Sequence, residues 1–298
     1  MTKIDFVACV TLKRKKGVLP DLFHAYWRDV HGPIAARIPG MYDYYQHHLA
    51  YDEGGAWQTV PGINYDFPEE DRFDGLGEGT FASQEDVQKY FTGAGGVLMK
   101  DEPNLFEETV AYTTNNGNSK TYVDEINNDL LHESKDRTKF IVLFKKTDAI
   151  SIEDFRRYMT DSFAPVLVES GHMLRLRLHL LDEHDNTNPP NESELSQSVS
   201  HYKPLEKQYQ ALMEIAFIDR LEMSRFFASP QYMGTVKEQP LFIRQIHNFV
   251  VYETYTLIAN GQLTMMGLRG YHQAELITQI GAVNQLEDDV VNLMLGKK

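Results

Sequence analysis

A single cysteine, Cys9, serves all 298 residues, so no internal disulfide can form. A chain without disulfides fits a reducing compartment, and a cytoplasmic location is expected. Cys9 sits in the apolar run 6–10 and reads as a small buried hydrophobe rather than a nucleophile. Basic residues are scarce, with 29 Lys and Arg against 43 Asp and Glu and a net charge of −14. That balance argues against nucleic acid and anionic membranes as partners. No apolar run approaches the roughly 20 residues of a membrane span. Residues 1–6 lead into a strand-like pattern without a basic segment and apolar core, so no secretory signal is expected. There is no Cys/His cluster, no H-E-x-x-H and no phosphate loop, so no metal is expected. Gly93-Ala94-Gly95-Gly96 mimics a dinucleotide turn, but it follows a helical pattern instead of a strand.

What is present is a repeat. The run Phe23-His24-Ala25-Tyr26-Trp27-Arg28-Asp29-Val30-His31-Gly32-Pro33 returns 132 residues later (155 minus 23). The echo reads Phe155-Arg156-Arg157-Tyr158-Met159-Thr160-Asp161-Ser162-Phe163-Ala164-Pro165. Phe, Tyr, Asp and Pro recur in register, whereas His31 gives way to Phe163. Phe23, Tyr26, Trp27, Val30 and Ile34 recur at three- and four-residue steps, one apolar stripe of a helix that starts at Pro20. Pro33 lacks an N–H and clashes with the carbonyl of Asp29, so a kink or early helix end is expected near His31.

The flanking patterns repeat as well. Strands are expected over 4–12, 41–51, 73–82 and 105–113, with a short helix from the N-cap Ser83 to about Phe91. The strand at 73–82 is thinned by Gly75, Gly77 and Gly79. In the second half strands are expected over 139–145, 172–181, 211–218 and 245–257, with helices capped by Ser151 and Asp219. Polar insertions at 52–72 and 182–209 occupy corresponding places, and the acidic run 66–71 reads as a solvated loop.

Each half therefore follows the β-α-β-β-α-β order of a ferredoxin-like module. Two such sheets facing each other would cover their apolar faces and open edges. The expected class is α+β, with two fused ferredoxin-like modules forming an intramolecular dimeric α+β barrel. The modules span 1–114 and 138–257, joined by a linker at 115–137 and followed by a helical extension at 258–298. In that extension Leu276, Ile277, Ile280, Val283, Leu286, Val290 and Leu293 are spaced like an amphipathic helix or helix pair. It would pack on its own chain or a second subunit, giving a monomer with an internal pseudo-dimer or a homodimer through the tail. Glu287, Asp288 and Asp289 disfavour a membrane-surface role.

The first half resembles the EthD family of small dimeric α+β-barrel proteins. The matching pieces are Phe23…Tyr26-Trp27…His31-Gly32-Pro33, then Pro39-Gly40…Tyr44-Tyr45-Gln46-His47-His48, Asp74-Gly75, and Asp101-Glu102-Pro103-Asn104-Leu105-Phe106. The second half keeps Phe155, Tyr158, Pro165 and Ser229-Pro230 but loses the His and the Tyr-x-Gln run. The resemblance implies a ferredoxin-like barrel with a small pocket between helices and sheet. Phe163 in place of His31, with the lost Tyr-x-Gln-x-His run, makes the second module read as a partner that closes the barrel around a first-half site. Relatives of this barrel include cofactor-free monooxygenases, lactone isomerases, polyketide dehydratases and cyclases, and haem enzymes. Fold alone does not choose among them.

His31 follows Trp27 by four residues and Phe23 by eight, placing it at the edge of the buried stripe. Imidazole, with an ordinary pKa of about 6.5, exchanges protons near neutrality, so His31 is the candidate catalytic group. On the second strand, Tyr44, Gln46 and His48 share one face, opposite Tyr45 and His47. If that face meets the helix, Tyr44, Gln46 and His48 converge near His31 as substrate-orienting groups, with Tyr26 and Trp27 as pocket wall. Such a set suits enolisation, dehydration or isomerisation without a cofactor. The expected ligand is a small apolar, aromatic or polyketide-like oxygenated molecule, and the expected chemistry lyase or isomerase, then cofactor-free oxidation. Two alternatives stand beside it. One is a haem-dependent oxidoreductase, for which His172, His179 or His247 could serve as axial ligand; the other is a non-catalytic small-molecule carrier.

Overall fold

The computed structural model describes residues 4, 6–51, 56–115, 117–126, 137–186 and 199–297. The segment 127–136, inside the expected linker, and residues 187–198 of the insertion 182–209 lie outside these residues. The first module runs β1 (Phe6–Arg14), α1 (Pro20–Tyr26), a π-helical turn (Trp27–His31), α2 (Gly32–Ala36), β2 (Asp43–Tyr51), β3 (Gly75–Phe81), α3 (Gln84–Leu105) and β4 (Phe106–Thr114). After β5 (Ser119–Asp124), the second runs β6 (Thr138–Lys146), α4 (Ile152–Arg157), another π-helical turn (Tyr158–Phe163), α5 (Ala164–Glu169), β7 (Arg175–Leu180) and β8 (Ala211–Phe217). It closes with α6 (Arg220–Ala228), α7 (Pro230–Thr235), α8 (Gln239–Phe242) and the long β9 (Ile243–Ala259). The extension holds β10 (Gln262–Leu263), α9 (Met265–Arg269), α10 (Tyr271–Ile280) and α11 (Asp288–Met294).

Local chemistry fixes the helix starts. Ser83, Ser151 and Asp219 each accept the backbone N–H of the third residue on, from Asp86, Asp154 and Glu222. Pro33 does not end its helix. The turn before it widens instead, so that the Gly32 N–H bonds to Trp27 O, five residues back. Ala164 does the same to Met159 O in front of Pro165. A π-turn thus accommodates the proline in both copies at the same repeat position. The helix α3 runs 22 residues, well past the expected end near Phe91. Gly93 lies within it, where a Cβ would fall 2.8 Å from Ile38 Cγ2, so the glycine serves a close helix contact rather than a break.

The strands follow one path, β4-β1-β3-β2-β9-β6-β8-β7-β5, and their ladders are antiparallel. Each module has the order of a ferredoxin-like sheet, and the two are sewn along two seams. At one, β9 pairs with β6 through residues 243–250 and then with β2 through 249–258. At the other, β4 pairs with β1, and its continuation β5 crosses to β7. Residues 119–124 of the expected linker are therefore a strand that closes the barrel. Two fused ferredoxin-like modules form an intramolecular dimeric α+β barrel.

The insertions cross over in the same pseudo-symmetric way. Asn64 bridges to Gln245 on β9, and Ser200 bridges to Glu108 on β4. The first insertion carries Trp57, Val60 and Ile63 into the second module's core, where Trp57 meets Phe140 and Phe227 edge-on. The acidic run 66–71 is not simply solvated, since Phe67 is buried against His247 and Asp71 pairs with Lys207 at 2.7 Å.

The sheet faces turned away from the helices enclose a charged interior. Glu78 on β3 and Glu214 on β8 are 1% and 0% exposed. Arg177 of the second module donates to both, reaching Glu214 Oε2 at 2.9 Å. Lys139 and Arg175 hold Glu214 Oε1 at 2.5 and 3.0 Å, and His47 Nε2 lies 3.2 Å from Glu78 Oε2. Buried charges persist only when paired in this manner. In the extension, Met266, Leu268 and Ala274 are buried, and Arg28 stacks on the Tyr271 ring. Anchoring thus comes from residues 264–274, while Leu276, Ile280, Val283, Leu286 and Leu293 are exposed. Among the described residues, no helix is long and apolar enough to cross a membrane.

Candidate active site

The site begins with missing side chains. The strand β3 reads Gly75-Leu76-Gly77-Glu78-Gly79, where its counterpart β8 reads Ala211-Leu212-Met213-Glu214-Ile215. The registers correspond, with Gly77 opposite Val10 and Met213 opposite Val142. Alternation puts all three glycines on the helix-facing side, away from Glu78. Gly75 is covered by Trp27, whose ring would lie 2.6 Å from a Cβ there. Gly77 and Gly79 floor a cavity of about 290 Å³. In the second module Met213 and Ile215 are fully buried and Phe163 stacks on Tyr158, filling the corresponding space.

Apolar groups from β1, α2 and α3, including Val10, Ala35 and Leu98, form much of the wall. Among the described residues, the polar side chains that reach the cavity are His31, Tyr44, Tyr90, Glu102, Thr109, His184 and His201. His31 enters from the end of the π-turn, 7% exposed and edge-on to Phe106. Its Nδ1 lies 2.9 Å from Asp101 Oδ2, which leaves Nε2 for a ligand. Asp101 also accepts from Tyr26 Oη at 2.7 Å and Asn104 Nδ2 at 3.1 Å. The hydrogen bond from His31 leads those that hold the Asp101 carboxyl down at about 2, so it is an anion at neutral pH. Its neighbour Glu102 is pushed the other way, upward, by burial. Two adjacent carboxyls are thereby separated, one ionised and one biased towards the acid form.

Of the residues singled out in the sequence, His31, Trp27 and Tyr44 line the cavity together. Tyr26, Gln46 and His48 do not, and each acts from behind it. Tyr26 supports Asp101. Gln46, fully buried, donates its amide to Trp27 O at 3.0 Å and Tyr44 Oη at 3.2 Å. It thus braces the carbonyl that accepts across the π-turn, and a Cβ at Gly32 would meet its Nε2 at 2.4 Å. His48 stacks under Trp27 with ring centroids 4.7 Å apart, and burial pushes its pKa well below the usual imidazole value. Burial also raises the Tyr44 phenol to about 12, making it a donor rather than a base. Sequence reasoning gave no role to Asp101 and Glu102, although their motif was in view; extending α3 from Ser83 to Leu105 is the signal that places them. His184 and His201 come from the second module's insertion, and no sequence signal points to them.

Residues 15–109 match the model of the EthD domain. No curated protein sequence matches the chain. Among solved structures, a candidate monooxygenase from Fusobacterium nucleatum subsp. nucleatum aligns over 89% of this chain and 99% of its own, with 7% identity and a TM-score of 0.53. A candidate monooxygenase from Lactobacillus acidophilus NCFM covers 88% and 99% at 7% identity and a TM-score of 0.49. An anthrone oxidase-like protein covers 85% and 93% at 9% identity and 0.48. The first of these likenesses supports the barrel fold across both modules and says nothing of activity. The first module, over residues 15–109, thus carries the EthD domain.

Proposed function

We propose that the first module is a cofactor-independent acid–base enzyme that enolises or dehydrates a small, largely apolar oxygenated substrate. The observation that carries this reading is a histidine in an apolar cavity with one ring nitrogen fixed by a carboxylate. His31 Nε2 takes the proton from a carbon next to a carbonyl or leaving hydroxyl. The Glu102 carboxyl, raised by burial, gives its proton to the oxygen as charge develops there. In enolisation the C–H pair becomes the C=C bond and the carbonyl becomes C–OH; in dehydration the protonated hydroxyl leaves as water. Tyr44 and Trp27 shape the wall against which a ring would lie. Haem suits these residues poorly. Among the described residues no Lys or Arg lines the cavity to meet its propionates, and about 290 Å³ is at the small end for ligand pockets.

The test is deuterium wash-in at the α carbon of 2-tetralone, a fused-ring ketone, followed by NMR in D2O. The protein should accelerate exchange, and His31→Ala should cost about 10²–10⁴-fold. Equal exchange by wild type and His31→Ala would defeat the proposal, and binding without exchange would mark a carrier.

A further inference from the structure

The second module closes the barrel, but it also reaches into the first module's cavity. Its insertion lies along β4 as a short parallel addition, with Ser200 N–H donating to Glu107 O and Thr109 N–H to Ser200 O, each at 2.9 Å. This fixes His201 over the cavity end of α3. His201 Nδ1 stands 2.8 Å from Thr109 Oγ1 and 3.2 Å from Thr109 O, so β4 holds one ring nitrogen. Its Nε2 stands 3.3 Å from Glu102 Oε2, an approach without hydrogen-bond alignment. The two side chains differ in access. Glu102 is 16% exposed and its Oε2 is buried, whereas His201 is 46% exposed.

We infer that His201 is the outlet through which the Glu102 carboxyl exchanges its proton with solvent, so that the second module completes the first module's site. This rests on the acid role given to Glu102 above. After Glu102 delivers its proton to the substrate oxygen, the carboxylate takes one from Nε2 of the His201 imidazolium. The neutral ring then takes a proton from water or buffer, one entering for each delivered, with no change of oxidation state. A small turn of the imidazole brings Nε2 and Oε2 into line. The groups facing this pair are His31, Asp101 and Tyr90 on the cavity side, Glu108 on β4, held by Lys203 at 2.9 Å, and His184 on the same insertion. His184 sits between Ala111 O at 2.9 Å and the carbonyl of His201 at 2.7 Å, clamping the insertion to β4 beside the pair.

The prediction needs no substrate. In wild-type protein the infrared band of a protonated carboxyl that Glu102→Gln removes should shift rapidly on transfer into D2O. In His201→Ala the shift should slow by about tenfold or more, and free imidazole should restore it, as for any proton shuttle replaced by a mobile base. His201→Phe, which keeps the bulk over the cavity, should behave like His201→Ala. An unchanged rate in both variants overturns the proposal. So does slowing that imidazole does not restore, which marks a purely structural role, or a spectrum in which Glu102→Gln removes no carboxyl band. Absence of ketone exchange in wild type would sink the proposed reaction alone, leaving the proton outlet to be decided by the infrared rates.

Discussion

An imidazole acts as a directed base only when its other nitrogen is held, and Asp101 holds Nδ1 of His31. Asp101→Asn replaces an anion by an amide that can offer either an oxygen or an N–H, so the ring loses its fixed tautomer. Ketone exchange should then fall by about 10²–10⁴-fold, approaching the His31→Ala level. Tyr26→Phe removes only one of three hydrogen bonds to Asp101 and should cost far less, a contrast that initial rates will resolve. At this scale the sequence was informative where a side chain differed between repeats: His31 against Phe163 marks the module with the cavity. It was silent on function carried by long-range packing. The positions of Gln46 behind Trp27 and of His201 over Glu102 depend on strand pairing and a crossing loop, which local periodicity does not encode.

The strand β3 shows how an element, rather than a residue, makes a site. Its glycines weaken a strand by roughly 0.5–1 kcal/mol each relative to alanine, and the neighbouring ladders must make good that loss. The three positions are not equivalent. A Cβ at Gly77 would find its nearest neighbours at 3.9 and 4.0 Å, ordinary contact. Gly77→Ala should therefore raise stability by roughly 0.5–1 kcal/mol, with Gly77→Met filling the cavity as Met213 does in β8. Gly75→Ala should instead destabilise by about 1–3 kcal/mol, because the added methyl meets a Trp27 ring already backed by His48. Urea midpoints separate the two, and a destabilised Gly77→Ala would show that the cavity floor is strained. The same strand was legible from its alternation, and its glycines were visible as a thinning. The helix α3 was not legible to its full length, because Gly93, Gly96 and Pro103 punctuate it. Tertiary contact overrides the signal at Gly93, which closes on Ile38, and Pro103 falls in the last turn, where the distortion it imposes leaves the preceding turns intact.

At the scale of the molecule the two modules are interleaved, not adjacent. The strand β9 serves both sheets, each insertion packs on the other module, and Arg177 joins carboxylates of both. Calorimetry should accordingly give one transition with equal calorimetric and van't Hoff enthalpies; two transitions would show that the modules unfold separately. The repeat offset makes the duplication plain in the sequence, but Glu78 and Glu214 lie 136 residues apart (214 minus 78) and correspond only through strand register. Glu214 finds Lys139, Arg175 and Arg177 on neighbouring strands of its own sheet, whereas Glu78 takes Arg177 from the other module, a pairing visible only once the barrel closes. That interior dictates the acid response. Burial lowers His179 and His247 from 6.5 to about 4, so between those values the unfolded chain binds more protons and stability falls as pH falls. Burial raises Glu78, but Arg177 and the hydrogen bond from His47 outweigh it and bring the carboxyl from 4.5 to about 2. Glu214 is likewise held well below its ordinary value, by Lys139, Arg175 and Arg177 against its burial. Stability from these carboxylates is complete above about 4.5 and is lost as pH falls towards 2. The two sets act in the same direction, so stability should decline throughout from pH 6.5 downwards. Arg177→Met should cost about 3–5 kcal/mol at pH 7, the usual penalty for a buried charge robbed of its partner. It should also flatten the lower limb, since Glu78 then titrates nearer to its unfolded value. Urea unfolding of both proteins at pH 7, 5 and 3 decides the matter: parallel curves would mean that Arg177 does not hold the interior carboxylates in their charged form.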